Sequence, residues 1–273
     1  MFNKMHISMN RKTIITTSWD DGTPLDLKLA KLLKKYEIPA TFYVSTKNIE
    51  RASMSPIQIR EIAKDFDIGG HTVHHFDLTK VPLEMAWKEI SVCKKELERI
   101  IDREVVSFCY PMGAYNYKVV EMVKKAGFKG ARTINLLETK IKNPFEIGTT
   151  IHVYDHSMRK YAKELIRVRN PKLSCFLANK LSCRRKLFLH WYLDWYKLAI
   201  DTLEYVKKFG GIWHLRGHSW EIEKYDNWKK LVKIFGRIRE FAETRNVSLM
   251  DNGQLMVQFL KDNRDKEENN NAN

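Results

Sequence analysis

The stretch from Thr13 to Gly22 reads Thr-Ile-Ile-Thr-Thr-Ser-Trp-Asp-Asp-Gly. Its first seven residues are mostly β-branched or aromatic, which is typical of a strand. Asp20 and Asp21 come where this strand ends and its loop begins. In a parallel α/β barrel, functional side chains collect at the carboxyl ends of the strands. The stretch therefore predicts a first strand and the edge of the sheet where chemistry takes place, although Asp-Gly alone is also a common turn dipeptide.

Short apolar runs of this kind recur along the chain and alternate with longer stretches of helical periodicity. This alternation is the pattern of parallel strands joined by crossover helices. The strands are predicted at 13–19, 40–44, 66–70, 105–109, 128–132, 146–150, 211–216 and 246–250. The clearest helices are predicted at Leu25–Tyr36, Pro82–Ile101, Tyr117–Ala126, Trp195–Phe209 and Asn227–Thr244.

The length and composition favour one domain. A chain of 273 residues with 44% hydrophobic content is long enough for one large core. Between about 155 and 195 the alternation fails, and this basic, aromatic-rich segment is predicted to be an insertion. Residues 261–273 are polar and are predicted to form a disordered tail.

The charge is strongly positive. Lys and Arg number 48 against 33 Asp and Glu, a formal net charge of +15. The surface should attract anions such as phosphate or anionic lipid headgroups, unless the excess lysines merely solvate helix faces. No nucleic-acid recognition motif accompanies the charge, so we predict no nucleic-acid partner.

The cysteines and the N-terminal residues favour a reducing, cytoplasmic compartment. The four cysteines include no Cys-x-x-Cys pair, which argues against a structural zinc knot and favours free thiols in a reducing compartment. Residues 1–12 lack the apolar stretch of about 7–15 residues that a secretory signal needs. We therefore expect a cytoplasmic protein. No run approaches the roughly 18 apolar residues of a membrane span, but peripheral contact with a membrane surface stays open.

A histidine cluster follows the strand predicted at 66–70: the sequence there is His-Thr-Val-His-His, from His71 to His75. If this segment turns helically, His71 and His75 project from one face, a spacing that lets two imidazoles reach one metal ion. His74 shares that face and ranks behind His75. Two histidines and one carboxylate would leave positions for water and substrate, as a catalytic metal site requires.

Two further segments follow predicted strands. Residues 109–113, Cys-Tyr-Pro-Met-Gly, indicate a fixed loop whose backbone N–H groups could face a developing negative charge, although alone they indicate only a turn. Later in the chain, His218 ends a strand between aromatic residues, a position that suits a proton donor. His214 and His218 also have an i, i+4 spacing, but the predicted strand separates them.

Together and in this order, these four segments resemble the polysaccharide deacetylase family, also called the NodB homology domain or carbohydrate esterase family four. The resemblance covers residues 12–250, and its most specific part is the aspartate pair followed by His-Thr-x-x-His. It implies an α/β fold, a distorted parallel (β/α)7-type barrel in a single catalytic domain over 12–260. This fold agrees with the alternation of strands and helices.

The resemblance also implies a metal-dependent N-deacetylase that hydrolyses the acetamide of an amino sugar in a glycan or oligosaccharide. A divalent metal, zinc foremost and cobalt, nickel or manganese as alternatives, would be bound by Asp21, His71 and His75. Water activated by this metal would attack with Asp20 as general base and His218 as general acid. The residues implied to line the groove or to bind the oxyanion are Tyr110, Pro111, Met112, Gly113 and Trp220.

Two departures from the family pattern stand out. Many members carry arginine at the position of Cys109, where it orients the catalytic aspartate. Arg132 is the candidate substitute, since an ion pair would keep Asp20 anionic, and a surface arginine is the equal alternative. The family's Asp and Trp pair that tunes the histidine is not recognisable, and its candidate replacements are Glu221 and Asp155.

Two other functions stay open from the sequence. A deacetylase or deformylase of a lipid-linked amino sugar at the cytoplasmic membrane face would account for the positive charge and the aromatic, basic insertion. An inactive glycan-binding protein would account for the missing arginine and the missing fourth motif, although it would not account for the retained aspartates and histidines.

Overall fold

Eight parallel strands curl into one sheet, and helices pack against it. The computed structural model describes residues 12–182, 192–244 and 246–271. In chain order the strands of this sheet are β1 (Thr13–Trp19), β2 (Thr41–Val44), β3 (Asp67–Gly70), β4 (Ser107–Cys109), β5 (Gly130–Arg132), β6 (Ile151–His152), β9 (Gly211–Gly217) and β10 (Val247–Leu249). They lie in the order β5-β4-β3-β2-β1-β9-β6, with β10 also paired to β1. The predicted α/β fold, a distorted parallel barrel, is confirmed.

The helices connect the strands as crossovers. Their bounds are α1 Asp26–Lys35, α2 Pro56–Ala63, α3 Leu83–Ile101, α4 Tyr117–Lys125, α5 Met158–Val168, α6 Pro171–Ser182, α7 Trp195–Phe209, α8 Ser219–Lys224, α9 Trp228–Ala242 and α10 Asn252–Asn271. Helix α2 was not among the predicted helices, although Ser55 and Gln58 form a capping box at its start. Among the described residues, no helix is both long and apolar enough to cross a membrane.

β1 is the central strand of the barrel. It pairs with β9 along its whole length, and its other edge pairs with β10 at the start and with β2 at the end. Because side chains alternate along a strand, Trp19 packs edge-on against Phe235 of α9, with ring centroids 6.2 Å apart, whereas Ser18 lies on the opposite side and contacts His214. Burying such large apolar side chains contributes about 1.5–3 kcal/mol each. This packing anchors the strand end that carries Asp20.

The segment 146–150 joins the two ends of the sheet. Ile147 N–H donates to Ala131 O of β5 (2.9 Å), and Thr150 N–H donates to His214 O of β9 (2.9 Å). The prediction of a regular strand here is wrong, because the segment divides its hydrogen bonds between β5 and β9. Regular pairing begins only in β6.

The insertion predicted at 155–195 contributes elements outside the parallel sheet. β7 (His156–Ser157) pairs with β8 (Tyr192–Leu193) in an antiparallel arrangement, and α5 and α6 lie between them in the chain. Residues 183–191, which hold much of the basic and aromatic stretch, lie outside the described residues.

The C-terminus differs from the prediction of a disordered tail over 261–273. Helix α10 continues through this stretch as far as Asn271. The residues from 261 to 271 include neither glycine nor proline, so that no strong helix breaker ends α10 after its apolar first half.

Candidate active site

Asp20 and Asp21 leave β1 in different directions. Asp20 N–H donates to Gly217 O (3.0 Å), which extends the pairing with β9 by one residue. Asp21 then adopts a left-handed conformation with φ 80°, and Gly22 follows with φ 69°. A Cβ on Gly22 would lie 2.8 Å from Val44 Cγ1, so this tight turn requires glycine. The two carboxylates consequently contact different partners.

Arg132 forms a buried ion pair with Asp20. It ends β5, and its Nη2 donates a hydrogen bond to Asp20 Oδ1. Burial would raise the pKa of Asp20, but the charge of Arg132, with those of His218 and His71, outweighs it and holds the pKa well below its usual range. Arg132 is 0% exposed. The candidate substitute arginine therefore does contact Asp20, and the alternative of a surface arginine is wrong.

Asp21, His71 and His75 form a cluster of ligand atoms. Asp21 Oδ1 lies 3.7 Å from His71 Nε2 and 3.5 Å from His75 Nε2, and the three ligand atoms lie within 4.8 Å of one another. The second oxygen, Asp21 Oδ2, accepts a hydrogen bond from Trp220 Nε1 (2.7 Å), which orients the carboxylate. One carboxylate and two imidazoles arranged in this way fit a divalent ion such as zinc.

The loop after β3 brings the two histidines together without forming a helix. Thr72 and His75 have φ values of 67° and 66°, which are unusual for residues other than glycine and costly for a β-branched one. Thr72 Oγ1 accepts a hydrogen bond from His75 N–H (3.0 Å) and stabilises the turn. His74 turns away, and its Nδ1 pairs with Glu89 (2.6 Å). The helical interpretation of the spacing is wrong, but the predicted convergence of His71 and His75 is present.

His71 is held with Nε2 toward the cluster. Its Nδ1 lies 2.8 Å from Cys109 O, and since a carbonyl only accepts, Nδ1 carries the proton. Burial and the neighbouring His75 lower the pKa of His71 to about 4, so its Nε2 offers a lone pair at neutral pH. A backbone carbonyl on the far ring nitrogen is the arrangement that usually orients a metal-binding histidine.

His218 and His152 share one carboxylate. His218 Nδ1 and His152 Nε2 both donate to Glu221 Oε2, at 2.5 and 2.9 Å. The free nitrogen of His218, Nε2, lies 3.7 Å from Asp20 Oδ2. Burial lowers the pKa of His218, but the hydrogen bond to Glu221 and the charges of the aspartates outweigh it, so the net shift is upward. Glu221, one of the two candidate replacements for the missing motif, therefore contacts the predicted acid.

Other sequence candidates have different surroundings. Asp155 accepts a hydrogen bond from Trp195 N–H at the start of α7 (2.7 Å), so its carboxylate binds the first turn of that helix. His214 lies deeper in the barrel, with Nε2 2.8 Å from Ser18 Oγ. The rival pairing of His214 with His218 is therefore absent.

Three of the predicted groove residues, Tyr110, Met112 and Trp220, line the same pocket, whereas Pro111 and Gly113 are not among its lining residues. Pro111–Gly113 forms a 3-10 turn in which Met112 has φ 55°, and Tyr110 is anchored by its hydroxyl, which donates to Phe145 O (3.0 Å). The pocket is lined by Asp20, Asp21, Glu50, Arg51, His71, His75, Tyr110, Met112, Ile134, His152, His156, Lys160, Arg216, His218 and Trp220.

Two charged residues that line the pocket, Glu50 and Arg51, were not predicted from the sequence. Arg51 stacks on Trp220, with its guanidinium carbon 3.4 Å from the ring centroid, and its Nε lies 3.5 Å from Asp21 Oδ2. Glu50 Oε2 lies 3.5 Å from His75 Nδ1. Both residues lie in the loop after β2, and only the position of that loop at the carboxyl end of a strand could have indicated them.

Comparison with known proteins agrees with this geometry. Residues 7–131 match the family model described as polysaccharide deacetylase, and they include the aspartate pair and the histidine cluster. This part of the chain is polysaccharide deacetylase-like. The match confirms the predicted resemblance and agrees with the predicted enzyme class, a hydrolase of carbon–nitrogen amide bonds. None of the curated proteins matches the sequence.

Two of the matching solved structures have TM-scores above 0.5 and share the fold at low identity. A candidate polysaccharide deacetylase from Mycobacterium smegmatis has a TM-score of 0.62 at 14% identity, covering 92% of this chain and 91% of that one. The Bacillus subtilis peptidoglycan deacetylase PdaC, as a single-residue mutant, has a TM-score of 0.52 at 16% identity, covering 96% and 98%. The chain spans 62% of the length of the Streptococcus pyogenes deacetylase PplD, over 49% of its own, at 22% identity and a TM-score of 0.45.

Proposed function

We propose that this chain is a metal-dependent N-deacetylase that hydrolyses the acetamide of an amino sugar in a glycan or oligosaccharide. The observation that carries the proposal is the convergence of three arrangements on one pocket. They are the cluster of Asp21, His71 and His75, the ion pair of Asp20 with Arg132, and the hydrogen bond of His218 to Glu221. These arrangements would supply a metal site, an anionic base and a protonated acid, which together suffice for amide hydrolysis.

Asp21, His71 and His75 would hold the ion. Zinc suits one carboxylate and two imidazoles, with cobalt, nickel or manganese as alternatives. When bound, a divalent ion polarises the acyl carbonyl and lowers the pKa of a water it coordinates. Three protein ligands leave room for water and substrate, as in other catalytic sites. Trp220 and the Cys109 carbonyl hold Asp21 and His71 in place before binding.

Asp20 would take a proton from the attacking water. Arg132 is the main cause that holds its pKa below the usual range against burial, so the carboxylate is ionised at neutral pH. A carboxylate of such low pKa is a weak base. Asp20 could therefore act as a base only toward a water whose pKa a bound metal ion has lowered. This requirement couples Asp20 to the neighbouring metal site.

His218 would protonate the sugar amine as the carbon–nitrogen bond breaks. An amine without that proton is a poor leaving group. The hydrogen bond from Nδ1 to Glu221 favours the imidazolium form and leaves Nε2 to face the pocket near Asp20. Glu221 is thus proposed as the residue that positions and charges the acid.

The turn after β4 and the tryptophan of α8 would bind substrate. The Met112 backbone N–H is the proposed donor to the oxyanion, with Pro111 and Gly113 shaping its turn. Trp220 is partly exposed and offers aromatic surface to a sugar ring, whereas Tyr110 is buried and supports the turn that follows it. A peptidoglycan deacetylase among the structures of similar fold is consistent with an amino-sugar substrate.

The test is acetate release from N-acetylated chito-oligosaccharides and peptidoglycan fragments by protein stripped of metal and by the same protein reloaded with zinc, cobalt, nickel or manganese. We expect release only from loaded protein. Equal release by stripped protein would refute metal dependence. Binding of these glycans without release under any metal would instead favour the inactive glycan-binding protein.

A further inference from the structure

Arg216 lies on the wall of the catalytic pocket, deep in the barrel. In β9 its Cα pairs with Ser18 of β1 and with His152 of β6. Since side chains alternate along a strand, Arg216 projects to the same side as His218, two residues later. The residue is only 5% exposed, and it lines the pocket together with the proposed acid and base.

Within the described parts of the chain, no side chain pairs with Arg216. Among the described residues, none accepts a hydrogen bond from its side chain or forms an ion pair with it, and its buried Nε has no acceptor. The nearby carboxylates are already engaged, since Asp20 pairs with Arg132 and Glu221 binds two histidines. Burial, followed by the charge of Arg132, lowers the pKa of Arg216 to about 10, which still leaves it cationic at neutral pH. A buried, unpaired guanidinium is strongly unfavourable.

The charges around the pocket also favour an anion. Three carboxylates and three cations line it, namely Asp20, Asp21, Glu50, Arg51, Lys160 and Arg216. Under the proposed function a divalent ion joins this set, so the loaded pocket carries an excess of positive charge. Such a pocket attracts an anionic substrate more strongly than a neutral one.

We propose that Arg216 binds an anionic group of the substrate, a carboxylate or a phosphate, beside the acylated amine. The guanidinium fork matches both groups through two parallel N–H···O bonds. The substrate would accordingly be an acidic amino sugar, such as a uronic acid or a sugar phosphate, rather than a neutral one. This assignment of substrate rests on the proposed function, whereas the anion site itself does not.

The test is calorimetric titration of metal-free protein with inorganic phosphate and with acetate, at an ionic strength held constant with chloride. We expect wild type to bind at least one of these anions, and Arg216→Gln to weaken that binding at least about ten-fold. Arg239→Gln is the matched control, because that arginine is partly exposed and pairs with Glu37 outside the pocket. A preference for phosphate indicates a sugar phosphate, and a preference for acetate indicates a carboxylate.

A second measurement uses wild type, so that its result does not depend on whether Arg216→Gln folds. In wild type, the Arg216 Nε–H resonance, assigned by its absence from Arg216→Lys, should shift on addition of the anion that binds. No anion binding by wild type, or equal binding by Arg216→Gln, would overturn the anion site. Acetate release without anion binding leaves the proposed function standing, and anion binding without acetate release from any glycan counts against the proposed function alone.

Discussion

Arg132 at the end of β5 pairs with Asp20 at the end of β1, although 112 positions separate them in the chain. In the register of the sheet, Arg132 lies directly beside Cys109 of β4, the position at which many polysaccharide deacetylases carry arginine. A guanidinium supplied from the neighbouring strand therefore reaches the same aspartate. The charge of Arg132 outweighs the effect of burial and keeps Asp20 ionised.

Arg132→Gln tests this pair. Removing one partner of a buried ion pair costs about 3–5 kcal/mol of stability, so the melting temperature should fall. Without the charge that lowers the pKa of Asp20, the acidic limb of the pH profile of kcat/KM should move to higher pH. The Arg239→Gln variant, which changes an arginine outside the pocket, is the control for loss of one positive charge. An acidic limb that stays in place would contradict the assigned role.

Glu221→Gln tests the tuning of His218. The hydrogen bond to Glu221 is the largest of the effects that raise the pKa of His218 against burial, so the variant should lower that pKa. The basic limb of the rate profile should move to lower pH, and NMR titration of the His218 ring should show the same shift. Glu223→Gln, which changes an exposed carboxylate on the same helix, should leave both unchanged. If the two variants behave alike, Glu221 does not tune the acid.

Substitution of each histidine separates ligands from neighbours. Loss of a group that only hydrogen-bonds to a metal ligand lowers metal affinity roughly 10–100-fold. His71→Ala and His75→Ala remove ligands themselves, so each should lower zinc affinity by more than that. His74→Ala should retain the ion, because His74 pairs with Glu89 instead. A competition titration against a chelator measures all three. Loss of zinc from His74→Ala alone would be incompatible with the cluster.

Asp26 makes stability depend on pH. Its carboxyl is buried at the start of α1, and burial raises its pKa to about 8 from an ordinary value of 3.8. Between these values the unfolded chain is ionised while the folded chain is not, so the free energy of unfolding falls as pH rises.

Asp26→Asn removes that dependence. We expect its melting temperature to exceed that of wild type by at least roughly 2–4 °C at pH 8, with the difference vanishing near pH 4. Thermal denaturation of metal-free protein over this range measures it. A difference that is constant with pH would show that Asp26 is ionised in the folded state.

Periodicity predicted the elements that pack on the core. Helix α7 has the predicted bounds because its apolar residues follow the helical period, and β1 has them because its residues are mostly β-branched or aromatic. The prediction of a strand at 146–150 was wrong because that segment divides its hydrogen bonds between β5 and β9. The C-terminal part of α10 was not expected to be helical, because composition says little about a helix that continues beyond its apolar residues.

The candidate site was predictable where one short segment carries the residues. Asp21 and His71 follow their strands directly, so the topology alone brings them together. Arg132 and Glu221 could be offered only as candidates, since their contacts depend on register between distant segments. Arg216 was missed because an arginine within a strand gives no sign of whether it faces the barrel interior.

The most direct measurement is acetate release by zinc-loaded Asp20→Asn compared with zinc-loaded wild type, with the zinc content of both determined. Asp20 is not among the ligand cluster, so we predict one ion per chain in both proteins and release in wild type that falls by at least about 100-fold in the variant. Undiminished release by the zinc-loaded variant would contradict the account.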